Sequence, residues 1–184
     1  MVTKWFRENV WAAAAITFVR VYLGWLWLDA GWHKLTGGFD ATGFLKGAIA
    51  KPVADHATQA VLFPNYTYFI EHFALPNVKL INFLIPVGET LIGIGLIVGG
   101  LVATAAFFGI MLNLMFVFAG TVSTNPWLLT LGFLVFMAGA NAGRFGLDYY
   151  LMPLIRKGWT KIRAGHGKTD NTDHRGIGGK IVPH

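Results

Sequence analysis

Two residues of opposite charge lie within stretches that are apolar enough to cross a lipid bilayer. Arg20 lies in the stretch 10–33, and Glu89 lies in the stretch 80–99. About 20 apolar residues are needed for a helix to span the hydrocarbon layer. An arginine at the centre of that layer costs about 3 kcal/mol, so it normally faces the bundle interior and has a partner. The sequence therefore predicts an ion pair between Arg20 and Glu89 inside a helical bundle.

Depth and helical spacing are the grounds for this pairing. Each charge lies roughly 15 Å from the start of its stretch, at 1.5 Å per residue, and the two stretches run in opposite directions. Small residues share a helical face with each charge and would allow close approach. Two interpretations stay open. The pair specifies the fold and does no chemistry, or Arg20 and Glu89 are catalytic, with Glu89 moving a proton.

Further polar and aromatic residues could contact a ligand near this pair. The amide of Asn113, midway along a third apolar stretch, either joins helices or binds a ligand. A flat redox ligand such as a quinone suits an aromatic wall with one or two polar groups, although tryptophans also mark the membrane interface. The candidate substrate-binding and quinone-binding residues are Asn113, Trp27, Asp29, His33, Lys34 and His72. The histidines lack the tight spacing of a metal site, so none is predicted.

The apolar stretches that must position these residues predict an all-α membrane protein with a bundle of four transmembrane helices. The predicted spans are 10–33, 80–99, 101–119 and 127–143. The long connection 35–78 should form a lid of short amphipathic helices, because Tyr66, Phe69, Ile70 and Phe73 fall on one helical face. Asn65 is the expected cap of that helix, and Pro52 is expected to open a third. Residues 1–164 should form the membrane domain, and 165–184 a disordered basic tail.

Charge distribution predicts the orientation in the cell membrane and excludes other classes. The net charge is +6, and basic residues lie before the first span and after the last. Both termini are therefore expected to be cytoplasmic. Nucleic-acid binding is not expected, since basic residues beside spans usually set topology. The absence of cysteine excludes disulfides, thiolate metal sites and a thiol nucleophile.

Three groups of residues follow one another along the chain in a specific order and spacing. They are Arg20, Gly24, Ala30, Gly31, Lys34 and Leu35; then Pro86, Glu89, Gly93 and a Gly-Gly turn; and last Gly143, Arg144, Phe145, Gly146, Leu147 and Asp148. Taken together, they resemble the DoxX/DoxD-like family of four-helix membrane proteins. The closing run of residues 146–150 looks more like the DoxD branch, which includes the small membrane subunit of thiosulfate:quinone oxidoreductase. Asp148 also has a structural interpretation, in which it caps a helix starting at Tyr149 or pairs with Arg144.

The resemblance implies a redox-enzyme subunit that links oxidation of a small sulfur anion, such as thiosulfate, to quinone reduction. Quinone would be the electron acceptor, and no covalently bound cofactor is expected. The expected partners are the lipid bilayer and either a second subunit of the DoxA type or a second copy of the chain. The alternative from a different class is a non-catalytic membrane module that assembles or stabilises a partner protein. The sequence leaves open whether the protein is an enzyme.

Overall fold

A computed structural model describes residues 2–166 of the chain, with side chains described for 3–160. The described residues are helical apart from turns and one isolated β-bridge between Ala54 and Val61. The chain divides after Asp148 into two compact units. The helices are α1 (Val2–Glu8), α2 (Val10–Gly37), α3 (Thr42–Ala50), α4 (Pro64–Phe69), α5 (Val78–Val98), α6 (Val102–Phe118), α7 (Asn125–Ala138) and α8 (Asp148–His166), with a π-helix at Ile70–Ala74 and a 3-10 helix at Gly139–Gly143.

Within residues 2–166, three helical segments are long and apolar enough to cross a membrane by length and composition. They are Val10–Gly37, Val78–Val98 and Asn125–Gly143. The helix α6 is apolar but has only 17 residues. The helix α2 begins where Asn9 accepts hydrogen bonds from Trp11 N and Ala12 N, and it ends at Gly38, whose φ of 77° is left-handed. It thus runs one turn beyond the predicted limit at residue 33.

The helices α2 and α5 pack against each other in antiparallel directions through residues without side chains. A Cβ atom at Gly93 would lie 2.5 Å from Leu28 N, and one at Gly31 would lie 2.6 Å from Thr90 N. A Cβ atom at Gly24 would lie 2.9 Å from Gly93 O. Contacts this short leave no room for a methyl group, so the glycines allow the two backbones to approach and fix which turns of the helices face each other.

A hydrophobic core forms where α2, α5, α6 and α7 meet, and a second apolar cluster lies under the connection between α2 and α5. Leu23, Trp27, Leu96 and Val135 belong to the core. The second cluster joins α3 and the π-helix to the start of α5 and the end of α6; its buried residues are Ala41, Leu45, Ala48, Ile70, Ala74 and Ala119. The connecting segment, residues 38–77, is therefore packed on one end of the four helices. This end is called the lid end below.

Two details of the connecting segment differ from the sequence prediction. No helix begins at Pro52, because the chain from Lys51 to Leu62 turns back on itself and pairs Ala54 with Val61. The helix α4 begins with Pro64 as its first residue, so Phe63 rather than Asn65 is the N-cap. Proline is suited to the first helical position because it has no N–H to leave unpaired.

Asp40 fastens the start of α3 to α5. Its Oδ1 accepts hydrogen bonds from Thr42 Oγ1 at 2.7 Å and from Asn82 Nδ2 at 3.1 Å. In return, Asn82 Oδ1 accepts from Ala41 N at 2.8 Å. The hydrogen bonds from Thr42, and then the one from Asn82, lower the pKa of Asp40 below its ordinary value of 3.8.

The helix α8 begins at Asp148 and is amphipathic. Tyr149, Tyr150, Leu154 and Trp159 are exposed on it, and the basic residues Arg156 and Lys157 lie on the same helix. The predicted tail, 165–184, lies almost entirely outside the described residues.

Replacing Gly93 by alanine should destabilise the protein, since the new methyl group would meet the backbone of Leu28. Overpacking of this kind costs about 1–3 kcal/mol. Gly88 on the same helix has open space around its Cα. Gly88→Ala should therefore be neutral or stabilise by up to about 1 kcal/mol, through helix propensity alone. Unfolding titrations in mixed micelles measure both variants, and equal stability of the two would contradict the close packing.

The stabilising effect of Asp40 should depend on pH. Because folding lowers its pKa, the stabilisation is fully present above pH 3.8 and is lost as the pH falls through the lowered value. The difference in free energy of unfolding between wild type and Asp40→Asn should therefore shrink as the pH is lowered past about 4. A difference that stays constant over this range would show that the ionised form of Asp40 is not what holds α3 to α5.

Candidate functional site

The buried carboxylate of Glu89 on α5 is paired with Lys34 on α2. The ammonium of Lys34 donates to both carboxylate oxygens, at 2.7 Å and 2.9 Å. The side chain of Glu89 is 2% exposed, whereas that of Lys34 is 28% exposed. A charge-assisted bond that engages both oxygens holds the carboxylate in one orientation. The prediction that Glu89 pairs with Arg20 is therefore wrong, because the partner of Glu89 is Lys34.

The register of α2 on α5 explains this difference. Leu28 lies beside Gly93 and Gly31 beside Thr90, so Arg20 lies level with Gly99 at the far end of α5. Glu89 is about ten residues from Gly99, which is roughly 15 Å along a helix. Counting from the start of each apolar stretch places Arg20 and Glu89 at the same depth only if the two stretches begin level with the membrane surfaces. The first turns of α2, however, project past the end of α5 and pack on α1 and on the 3-10 helix.

Arg20 is 1% exposed and lies among backbone segments. Its Nη2 donates to Phe145 O at 3.4 Å, while Nε and Nη1 have no hydrogen-bond partner among the described residues. A Cβ atom built at Gly99 would collide with the guanidinium, and one built at Gly146 would lie 2.7 Å from Gly99 Cα and 3.0 Å from Arg20 Nη1. Arg20 is thus surrounded by the Gly-Gly turn after α5 and by the segment 143–148. The guanidinium fits there because Gly99 and Gly146 have no side chains.

Asp148 supplies the negative charge that attracts Arg20 at this end of the helices. Its carboxylate accepts hydrogen bonds from Leu101 N at 2.6 Å and Val102 N at 2.9 Å. Asp148 therefore caps the start of α6, whereas the sequence predicted that it would cap a helix starting at Tyr149. Arg144 does not pair with it, since its Nη1 donates to Glu8 O at 3.0 Å. These contacts connect the turn after α5, the start of α6 and the segment 143–148.

A cavity of about 300 Å³ lies beside the Lys34–Glu89 pair at the lid end. Its walls are aromatic and aliphatic side chains of α2, the connecting segment and α6, and its rim carries hydroxyl groups from the loop between α6 and α7. Lys34 also lies 5.8 Å from the ring centre of Phe39. The lining residues are Leu26, Trp27, Ala30, Lys34, Phe39, Phe44, Glu89, Phe116, Thr121, Ser123, Thr124, Asn125 and Leu128.

The structure brings together only part of the predicted site. Trp27, Lys34 and Glu89 line the cavity. Pro86 is buried on α5, where its carbonyl accepts from Thr90 Oγ1 at 2.8 Å. Asn113 is 1% exposed with Oδ1 unpaired among the described residues, but it is not part of the cavity wall.

The predicted residues Asp29, His33 and His72 lie away from the cavity. Asp29 and His33 are exposed and approach each other to 3.3 Å. The ring of His72 stacks on Tyr68 with the ring centres 4.0 Å apart, and its Nδ1 lies 4.0 Å from Glu71. The described residues hold no group of three His, Asp or Glu that could bind a metal ion.

The polar rim of the cavity is not among the site residues predicted from the sequence. Thr121, Ser123, Thr124 and Asn125 come from the loop between α6 and α7. Asn125 is held by its own amide, which donates to Thr121 O at 2.8 Å. The run of small polar residues between two apolar stretches was visible in the sequence, and such loops often carry binding residues. Its proximity to Lys34 depends on the fold and was not visible.

The arrangement suits a ligand with a flat polar head. A small-molecule site is usually a largely apolar cleft with a few polar groups that fix the orientation of the ligand. Here Lys34 provides the positive charge, Glu89 provides a carboxylate, and Trp27, Phe39, Phe44 and Phe116 provide aromatic surface. A carboxylate in contact with an ammonium group can pass a proton to a ligand that approaches either group.

Apolar helices packed around a buried ion pair, with a cavity at one end, define an α-helical membrane protein with a candidate ligand site. The chain belongs to the DoxX family, which matches residues 15–122, more than half of the sequence. Arg20, Lys34 and Glu89 lie inside the matched region, whereas the segment 143–148 lies outside it. Searches of curated proteins and of solved structures found no match.

The two members of the buried pair should respond unequally to mutation. Lys34→Met leaves Glu89, which is 2% exposed, without its partner, and a stranded buried charge costs about 3–5 kcal/mol. Glu89→Gln leaves Lys34, which is 28% exposed and can be hydrated, so its cost should be less than half as large. Thermal unfolding in the same detergent measures both variants. A larger loss of stability for Glu89→Gln would contradict the assigned burial.

Proposed function

We propose that this DoxX-family protein is the quinone-binding subunit of a membrane oxidoreductase, and that the quinone head binds beside Lys34 and Glu89. The single observation that carries the proposal is the buried Lys34–Glu89 pair in the wall of an aromatic cavity. A quinone ring needs flat apolar surfaces on its faces and a hydrogen-bond donor at a carbonyl oxygen. The aromatic walls and the ammonium of Lys34 meet these needs. The hydroxyl groups of the rim could hold a substituent of the ring.

In this proposal, Lys34 binds one quinone carbonyl and the Lys34–Glu89 pair delivers a proton to it. Reduction of a quinone to a quinol takes two electrons and two protons, of which the pair delivers one and solvent water supplies the other. The electron donor is a small sulfur anion such as thiosulfate. Two thiosulfate ions join through a new S–S bond to give tetrathionate and release two electrons. A partner subunit of the DoxA type would oxidise the anion, and the quinone would receive both electrons.

The proposal includes an arrangement in the membrane. The helix α6, which contacts both α5 and α7, would complete a bundle of four spans. Both ends of the chain would then lie on the cytoplasmic side, in agreement with the basic residues that flank the first and last spans. The cavity at the lid end would face the opposite side. The partner subunit or a second copy of the chain would dock from within the membrane or from either surface.

Glu89→Gln should lower quinone reduction by at least tenfold, because loss of a general acid or base typically costs about 10²–10⁴ in rate. The assay follows thiosulfate-dependent reduction of decylubiquinone by membranes that contain the protein and its co-purifying partner. Asp29→Asn is the matched control, since Asp29 is an exposed acid of α2 outside the cavity. A wild-type rate in the Glu89 variant, or no reduction by the wild type with its partner, would refute the proposed function.

The alternative function is a non-catalytic module that assembles a partner protein. It is favoured by the contacts of Arg20, Asp148 and Asn141, whose hydrogen bonds all join separate chain segments through backbone atoms. In that case, deleting the protein should lower the amount of its partner in the membrane, and Glu89→Gln should restore that amount fully. Restoration of the amount without restoration of quinone reduction would favour the enzyme subunit.

A further inference from the structure

A second cavity, of about 190 Å³, lies between the connecting segment and the helices α5 and α6. Its lining is almost entirely apolar and includes Tyr66, Ile70 and Ala74 from the connecting segment, and Leu112 and Met115 from α6. A cavity of about 150 Å³ with similar walls is large enough to bind benzene and stays free of water. The second cavity can therefore hold a short length of hydrocarbon.

The two cavities share a wall. Phe44 of α3 and Phe116 of α6 line both of them. Their rings meet edge to face, with centres 6.0 Å apart. Among the residues that the structure describes, no charged one lines the second cavity, whereas Lys34 and Glu89 line the first. The side chains of Phe44 and Phe116 thus separate a cavity that contains charged groups from one that is apolar.

Where the chain borders the second cavity, its local structure is unusual. Ile70 and Ala74 belong to the π-helix, and Leu75 N donates to Ile70 O at 2.9 Å. Single π-helical turns are rare in proteins overall, and those that occur are often located at functional sites. The side-chain hydroxyl of Tyr66 has a hydrogen-bond partner, since it donates to Met115 O at 2.9 Å. Burial raises the pKa of Tyr66 to about 12, so the hydroxyl stays protonated and can donate this hydrogen bond.

We propose that the protein binds an amphipathic ligand across both cavities, with its polar head beside Lys34 and Glu89 and its hydrocarbon chain in the second cavity. This inference rests on the proposed function for the position of the head. It adds the class of ligand, a quinone that bears an alkyl or isoprenoid chain. It also assigns Phe44 and Phe116 as the residues between which the chain passes.

The second cavity adjoins the first, so it suits the tail of the same ligand better than a separate small molecule. An apolar compartment that adjoins a polar one through a shared aromatic wall matches a molecule with one polar end and one apolar end. A peptide does not fit, because its backbone N–H and C=O groups would be buried without partners. Water does not fit, because a buried water needs two to four polar partners.

Quenching of tryptophan fluorescence tests this inference, since Trp27 lines the head cavity. The probes are decylubiquinone and the tail-less dimethoxy-methyl-benzoquinone, each titrated into the purified full-length protein in nanodiscs. Ala74→Leu fills the second cavity, and Ala48→Leu is the matched control in the same buried cluster but outside that cavity. Partition of decylubiquinone into the lipid cancels when a variant is compared with wild type.

We expect Ala74→Leu to weaken decylubiquinone binding at least tenfold and to leave the tail-less quinone within twofold of wild type. Ala48→Leu should leave both affinities within twofold. If Ala74→Leu binds decylubiquinone as tightly as wild type does, the tail site is refuted. Failure of the proposed function would differ: the tail-less quinone would then bind equally well to wild type and to Lys34→Met, which lacks the ammonium group that binds the quinone carbonyl.

A second measurement needs no variant. A quinone with a photoreactive diazirine in its alkyl chain is crosslinked to the wild-type protein, and the labelled peptides are identified by mass spectrometry. Labels on Tyr66–Ala74 or on Leu112–Phe116 support the tail site. Labels confined to exposed residues of other surfaces, such as Trp25 and Phe108, overturn it.

Discussion

The close contact of α2 with α5 is the constraint on which the rest of the structure depends. Three positions at this contact, Gly24, Gly31 and Gly93, have no room for even a methyl group. In a membrane the hydrophobic effect does not drive helices together, so packing of this kind and interhelical hydrogen bonds must do so. Once the glycines fix the register, the level of every polar residue on the two helices follows.

That register separates the two buried charges and gives each its own surroundings. Arg20 lies at the end of α5, where the Gly-Gly turn and the segment 143–148 close around it. Glu89 lies toward the lid end, where Lys34 reaches it and where the connecting segment and the loop between α6 and α7 form a cavity. At one end of the helices, the buried guanidinium of Arg20 thus contacts the backbone, and toward the lid end the Lys34–Glu89 pair lies beside a cavity.

Much of the fold could be predicted from the sequence because the apolar stretches are long and the turn glycines are clear. The helices α2, α5, α6 and α7 lie within a few residues of the predicted spans, and the amphipathic pattern at Tyr66–Phe73 does correspond to helical structure. The fastening of α3 to α5 by Asp40 and Asn82 carried no sequence signal of its own.

The candidate site could be predicted only in part, for a physical reason. Composition shows that Arg20 and Glu89 are costly in a bilayer, but it does not show how far one helix is shifted along the other. A shift of a few turns changes the partner of every charge. The sequence identifies Lys34 as a candidate ligand contact, but it does not show that the long side chain reaches the carboxylate of Glu89 on the neighbouring helix. The polar rim at 121–125 comes from a loop whose position depends on the same register.

Double-mutant cycles at Glu89 test the central claim most directly. The free energy of unfolding is measured for wild type, Glu89→Gln, Lys34→Met and Arg20→Gln, and for the two double variants that contain Glu89→Gln. The account predicts a coupling energy above about 1 kcal/mol between Glu89 and Lys34, and less than about 0.5 kcal/mol between Glu89 and Arg20, because contacting pairs couple and distant pairs add. Strong coupling of Glu89 to Arg20, with none to Lys34, would contradict the register and the site built on it.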